Sequence, residues 1–122
     1  MRKTARFIST ASMLATLIGA LGMTPQLASA DEQMIAEGKK LAFDRKKGNC
    51  LACHHIEGGD LAGNIGPALV AMKARFPDKA VLRAQIWDAT AKNPNTMMPP
   101  FGRHEIMSES EIDKVVEFIH SL

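Results

Sequence analysis

The chain lacks three features that would each point elsewhere: a second pair of cysteines, an alternating apolar and polar strand, and an apolar run long enough to cross a bilayer comfortably. Without a second pair, Cys50 and Cys53 cannot build a four-thiolate zinc site, and only a Cys₂His₂ set with a distant histidine would remain. A disulfide between residues so close in sequence closes a very small loop and constrains the unfolded chain little. The strand-helix-strand setting of a thiol oxidoreductase is missing as well. No repeat, low-complexity tract or linker divides the sequence, so it reads as one compact unit after its first thirty residues. The apolar run from Ala11 to Met23 is interrupted by Ser12, Thr16 and two glycines and stops before Pro25, which argues against a retained membrane span.

That N-terminal stretch fits an export signal. Arg2, Lys3 and Arg6 supply a positive start, the apolar run follows, and Ala28-Ser29-Ala30 is a small-x-small cleavage site. Residues 1–30 are therefore predicted to be removed, leaving a mature protein that begins at Asp31, has no membrane segment and works in the periplasm. Removing 30 of 122 residues leaves 92, near the size at which a polypeptide core alone becomes marginal. All three charges in the signal are basic, so the mature chain carries 12 Lys and Arg against 13 Asp and Glu, and the net charge of +2 becomes −1. A nucleic-acid partner is excluded on that ground, because no basic excess remains to neutralise phosphates.

What remains is helical in pattern. Ile35, Leu41, Ala42 and Phe43 recur on one side of a segment from Glu32 to Lys46, with Lys39, Lys40, Arg45 and Lys46 opposite. Gly38 inside it costs about 1 kcal/mol relative to Ala unless a close neighbour needs the missing side chain. Residues Glu57 to Gly66 hold four glycines and no apolar period, so they read as loop. A short helix is predicted over Leu69 to Arg75, and Asp78 is the N-cap of another in which Val81, Leu82, Gln85 and Ile86 share a face. Three prolines between Lys92 and Gly102 forbid helix and central strand there. The last element is clearest: Ser108 and Glu111 form a capping box, Met107 and Ile112 a hydrophobic staple, and Ile112, Val115, Val116 and Ile119 keep the helical period. The class is all-α with long loops, which suits a chain wrapped around something.

Cys50-Leu51-Ala52-Cys53-His54 is the Cys-x-x-Cys-His signature of covalent haem attachment. One turn presents two sulfurs to the vinyl edge of a porphyrin, and His54 then supplies the proximal iron ligand. A single haem c is the expected cofactor. A sixth ligand must come from elsewhere, and Met98 is the expected one, because Pro99 and Pro100 stiffen the backbone that would hold its sulfur. Met97 and His104 are the alternatives, while His55 and His120 read as surface residues. A ligating imidazole usually donates its other N–H to a carbonyl, and Pro67 is placed to offer one; otherwise it marks the end of a loop. Trp87 either packs on the haem edge or fills core. Arg45, Lys46, Lys47, Lys73, Arg75, Lys92 and Arg103 either ring the haem edge or make an ordinary solvated surface.

These residues resemble the class I cytochromes c, which implies first and last helices crossing beside the haem, with Gly38 and Phe118 at the crossing. More narrowly, Gly48 to His54, Gly63-Asn64-Ile65-Gly66-Pro67, Arg83-Ala84-Gln85-Ile86-Trp87-Asp88 and Asn93-Pro94-Asn95-Thr96 with Met98-Pro99-Pro100-Phe101-Gly102 are similar to the SoxX family. Ala68 stands where that family leads one to expect a second proline. The resemblance implies a monohaem subunit that pairs with a SoxA-like haem protein in a heterodimeric L-cysteine S-thiosulfotransferase. There it would take up electrons when thiosulfate is joined to a cysteine of a SoxYZ-type carrier and pass them to a soluble cytochrome c. No catalytic residue is expected on this chain, since both cysteines are used for haem. The alternative is a free-standing periplasmic cytochrome feeding a terminal oxidase.

Overall fold

A computed structural model describes residues 26–122. The export segment expected over residues 1–30 lies outside these apart from its last residues, which open the first helix. Four α-helices are present among the described residues and no strand: α1 (Gln26–Phe43), α2 (Met72–Arg75), α3 (Lys79–Trp87) and α4 (Glu109–His120). Single 3₁₀ turns occupy Cys50–Ala52 and Ala89–Ala91.

The two long helices, α1 and α4, form the principal packing of the molecule. Gly38 makes their close approach practicable. A Cβ built on it would lie 2.6 Å from the Lys114 carbonyl carbon and 2.9 Å from Phe118 Cβ, so any other residue would force the helices apart. Phe43 meets Phe118 edge to face with ring centroids 5.8 Å apart, and Lys114 pairs with Glu37 at 2.7 Å. The Lys114 ammonium beside Glu37 holds that carboxyl below the ordinary glutamate range. Ile112, Val115, Val116, Phe118 and Ile119 of α4 are buried, and together with Ala42, Leu82, Ile86, Phe101 and Met107 they form the core. Fully burying a side chain of this kind contributes roughly 1.5–3 kcal/mol.

Three segments differ from the sequence pattern. Helix α1 begins at Gln26, because Leu27, Ala28 and Ala30 are good helix formers, and it ends at Phe43 instead of Lys46. It stops there because the Asp44 carbonyl accepts from Lys47 and Asn49 N–H and its carboxylate from Lys46 N–H, closing a turn. Helix α2 covers only Met72–Arg75, since Leu69 gives its N–H to His55 O and Ala71 sits in the left-handed region at φ 51°. Val81 is 42% exposed and lies off the buried face of α3 that Leu82 and Ile86 define.

Elsewhere pattern and structure agree. Asp78 caps α3 by accepting from Ala80 N–H at 2.8 Å, and residues 92–102 form neither helix nor strand. Ser108 N–H donates to Glu111 Oε2 at 2.8 Å while Glu111 N–H donates to Ser108 Oγ at 3.3 Å, completing the capping box. Met107 and Ile112 are both buried.

Candidate haem site

The site starts from one turn of chain. Cys50–Ala52 forms a 3₁₀ turn in which Cys53 and His54 N–H both return to the Cys50 carbonyl, at 3.2 and 2.9 Å. Cys50 and Cys53 are unpaired, half-buried thiols on the same wall of a cavity of about 770 Å³, and His54 stands beside them. Burial pushes the Cys50 thiol up to about 11, so it is held as the uncharged thiol at neutral pH.

The loop that follows is laced back over this turn by three backbone bonds: Gly63 N–H to Leu51 O, Gly66 N–H to Cys53 O, and Leu69 N–H to His55 O. The lacing brings the Pro67 carbonyl 2.7 Å from His54 Nδ1. A carbonyl only accepts, so Nδ1 carries the proton, and in the neutral ring Nε2 is the nitrogen with the free lone pair. Gly66 lies against the same ring; a Cβ there would sit 2.6 Å from Nδ1 and 3.0 Å from Nε2.

Met98 lies on the cavity wall, half-buried against the core, with its N–H donating to Thr96 Oγ1 at 3.1 Å. Met97 also borders the cavity, but it is 75% exposed. His55, His104 and His120 are not among the lining residues; His120 Nε2 instead meets the Phe76 carbonyl at 3.1 Å, so it is tied down and not a plain surface histidine. Of the seven basic residues that might ring the cavity, Arg45, Lys46, Lys47 and Arg75 border it, and Lys73, Lys92 and Arg103 do not.

Trp87 follows the core reading and not the haem-edge one: it packs, partly buried, against the hydrophobic core. It lines a groove with Gly102, Arg103 and Met107 that adjoins the large cavity at Lys47 and Met107, and is not itself among the residues lining that cavity. The sequence singles out Gly66-Pro67 beside His54 but shows neither the contact of Gly66 with the ring nor the bond made by Arg75. Arg75 Nη1 donates to Ala68 O at 2.8 Å, next to the carbonyl that His54 uses, and Gly66 makes room for the imidazole. Arg75 gives no signal in the sequence because its partner is a backbone oxygen.

The family comparison bears on this geometry directly. A cytochrome c family model matches residues 35–122, from the middle of α1 to the last residue of the chain. The chain belongs to the cytochrome c family. The all-α arrangement, with α1 across α4 and no strand among the described residues, is the class I cytochrome c fold. Among curated proteins the chain is similar to an "Uncharacterized lipoprotein" of Aquifex aeolicus (strain VF5), 34% identical over 76 residues. Those residues are 62% of this chain and 37% of that protein, so the match spans well under half of the relative.

Cytochrome c membership implies covalently bound haem c and electron transfer. The donor chemistry of the cavity fits that group: two unpaired thiols, an imidazole with one nitrogen free, and a thioether, around a space within the usual size range of ligand sites.

Proposed function

We propose that this cytochrome c is an exported, monohaem electron-transfer subunit of the SoxX type, working in the periplasm. Cys50 and Cys53 would hold the porphyrin by thioethers, and His54 and Met98 would supply the ligands to its iron. When bound, the haem would supply reversible one-electron chemistry, and a thioether ligand would favour its ferrous state. The protein's own work is to bind, orient and dehydrate. Pro67 fixes the tautomer and direction of His54, Gly66 admits the ring, and Phe101, Ile86, Leu82 and Met72 supply the apolar wall.

The observation that carries this reading is the convergence of Cys50, Cys53, His54 and Met98 on one cavity, with the first imidazole nitrogen already engaged by Pro67. The narrower assignment is supported by the segments that resemble SoxX, Arg83–Asp88 and Asn93–Gly102, which meet in the fold through Trp87 and Gly102. In that role the chain pairs with a SoxA-like haem protein. Joining thiosulfate to a carrier thiol of the SoxYZ type releases two electrons and one proton, and a soluble cytochrome c receives the electrons. This chain supplies no catalytic residue to the S-thiosulfotransferase reaction.

Purification of the native protein tests both levels. Acid and organic solvent should leave the pigment on the peptide; a colourless peptide with two titratable thiols would end the haem assignment. The subunit reading expects a second haem protein to co-purify, and thiosulfate with its carrier to reduce this haem only in that partner's presence. A lone monomer reduced without a partner would favour the free-standing carrier.

A further inference from the structure

Trp87 lies at the end of α3 and outside the haem cavity, yet it makes three contacts with the segment that follows Met98. Its carbonyl accepts from Gly102 N–H at 3.1 Å and from Arg103 N–H at 3.4 Å. Its indole receives Gly102 so closely that a Cβ on that residue would sit 2.6 Å from Cζ3 and nearer still to Cδ2 and Cε3. The Trp87 ring is itself held. Arg83 stacks over it at 5.4 Å, and the same guanidinium pairs with Asp113 at 2.7 Å and Glu109 at 3.2 Å on α4. Asp88, the next residue, accepts from Thr90 N–H and hydroxyl and from Arg103 Nη1, which ties the other side of the loop to the same corner.

Between Gly102 and Met98 stand Pro99, Pro100 and Phe101. Each proline fixes φ near −65°, and Pro100 and Phe101 are buried, so little slack separates the indole contact from the methionine. From this geometry we propose that Trp87 is the positioning residue of the methionine loop: α4 holds Arg83, Arg83 holds the indole, and the indole with the Trp87 carbonyl sets where Met98 stands on the cavity wall. The inference rests on the assignment of Met98 as iron ligand.

The test uses ferric holoprotein and imidazole, which competes for the methionine site and binds only when the loop has opened. Apparent imidazole affinity therefore reports the fraction of open loop. Trp87→Ala and Gly102→Ala should each bind imidazole about tenfold or more tightly than the parent, and Trp87→Phe, which keeps an aromatic face against Gly102, within about threefold of it. Phe43→Ala removes an edge-to-face contact with Phe118 that involves neither Trp87 nor the methionine loop, and its imidazole affinity should match the parent. Parent-like affinity in both Trp87→Ala and Gly102→Ala would overturn the proposal, as would an equal gain in Phe43→Ala, which would mark the effect as general destabilisation. If Trp87→Ala does not fold, Gly102→Ala decides alone. Met98→Ala separates the two levels: loss of the sulfur-to-iron charge-transfer band supports the ligand assignment independently of Trp87. Survival of that band would remove the ligand assignment and the positioning role with it.

Discussion

His54 Nδ1 donates at 2.7 Å to the carbonyl of Pro67, 13 positions further along the chain, and the loop between them is bonded back to the Cys50–Cys53 turn at Leu51 and Cys53. The proline is suited to the position because it has no N–H to spend on a helix and offers only an acceptor. The bond selects one imidazole tautomer and aims the other nitrogen. Gly66→Ala should disturb it, since the added methyl would fall 2.6 Å from Nδ1. The expected outcome is a tilted or partly detached ligand, seen in resonance Raman spectra as a weakened iron-histidine signature and a fraction of high-spin haem, with both thioethers intact.

Met98→Ala tests the opposite face. On the proposal that Met98 is an iron ligand, its loss removes a thioether that favours the ferrous state, and the midpoint potential should fall by on the order of 100 mV. The sulfur-to-iron charge-transfer band should vanish at the same time. Met97→Ala is the matched comparison: Met97 is 75% exposed, and its loss should leave both signals at parent values.

Where local chemistry decides, the sequence was legible. The capping box needs only Ser108 and Glu111, four positions from end to end, and the cysteine turn with its histidine is equally local, so both appear where the pattern puts them. The crossing at Gly38 is long-range but carries a mark, a glycine within a helix, and the family resemblance supplied its partner Phe118. What was not legible depends on backbone atoms distant in sequence. Leu69 to Ala71 was predicted helical because nothing in the residue types shows that His55 O takes the Leu69 N–H or that Ala71 adopts a left-handed φ. For Trp87 the sequence offers the haem edge or the core, and the core is where it packs; its engagement with Gly102 and Arg103 runs through a carbonyl and a missing side chain, neither of which leaves a trace in hydrophobic period. The Arg75 bond to Ala68 O was hidden for the same reason.

Gly38→Ala should be costly although Ala is the better helix former. The gain in propensity is about 1 kcal/mol at most, and it is outweighed by a Cβ placed 2.9 Å from Phe118 Cβ and closer to the Lys114 carbonyl. Separating α1 from α4 enough to admit it should cost about 1–3 kcal/mol net, read as a lower urea midpoint with little change in slope. Because neither helix supplies a cavity-wall thiol or His54, the haem spectrum of the folded variant should match the parent.

Acid stability follows from three carboxylates held below their ordinary range. The Ser108 backbone N–H, and after it the Lys47 ammonium, does this for Glu111; Lys114 does so for Glu37, and the Thr90 hydroxyl for Asp88. A carboxyl whose folded value is depressed contributes stability that is fully present above its unfolded value and is lost as pH falls through the folded one. The holoprotein should therefore hold a flat unfolding midpoint down to about the ordinary glutamate value of 4.5 and lose stability below it. Ser108→Ala removes the hydroxyl that caps α4 and should cost about 1 kcal/mol at neutral pH. Glu111→Gln keeps an acceptor for the Ser108 N–H but loses the charge that Lys47 meets at 2.9 Å, so its midpoint should be lower at neutral pH and its acid limb shallower. An acid limb of Glu111→Gln parallel to that of the parent would show that the Ser108 and Lys47 contacts carry no pH-linked stability.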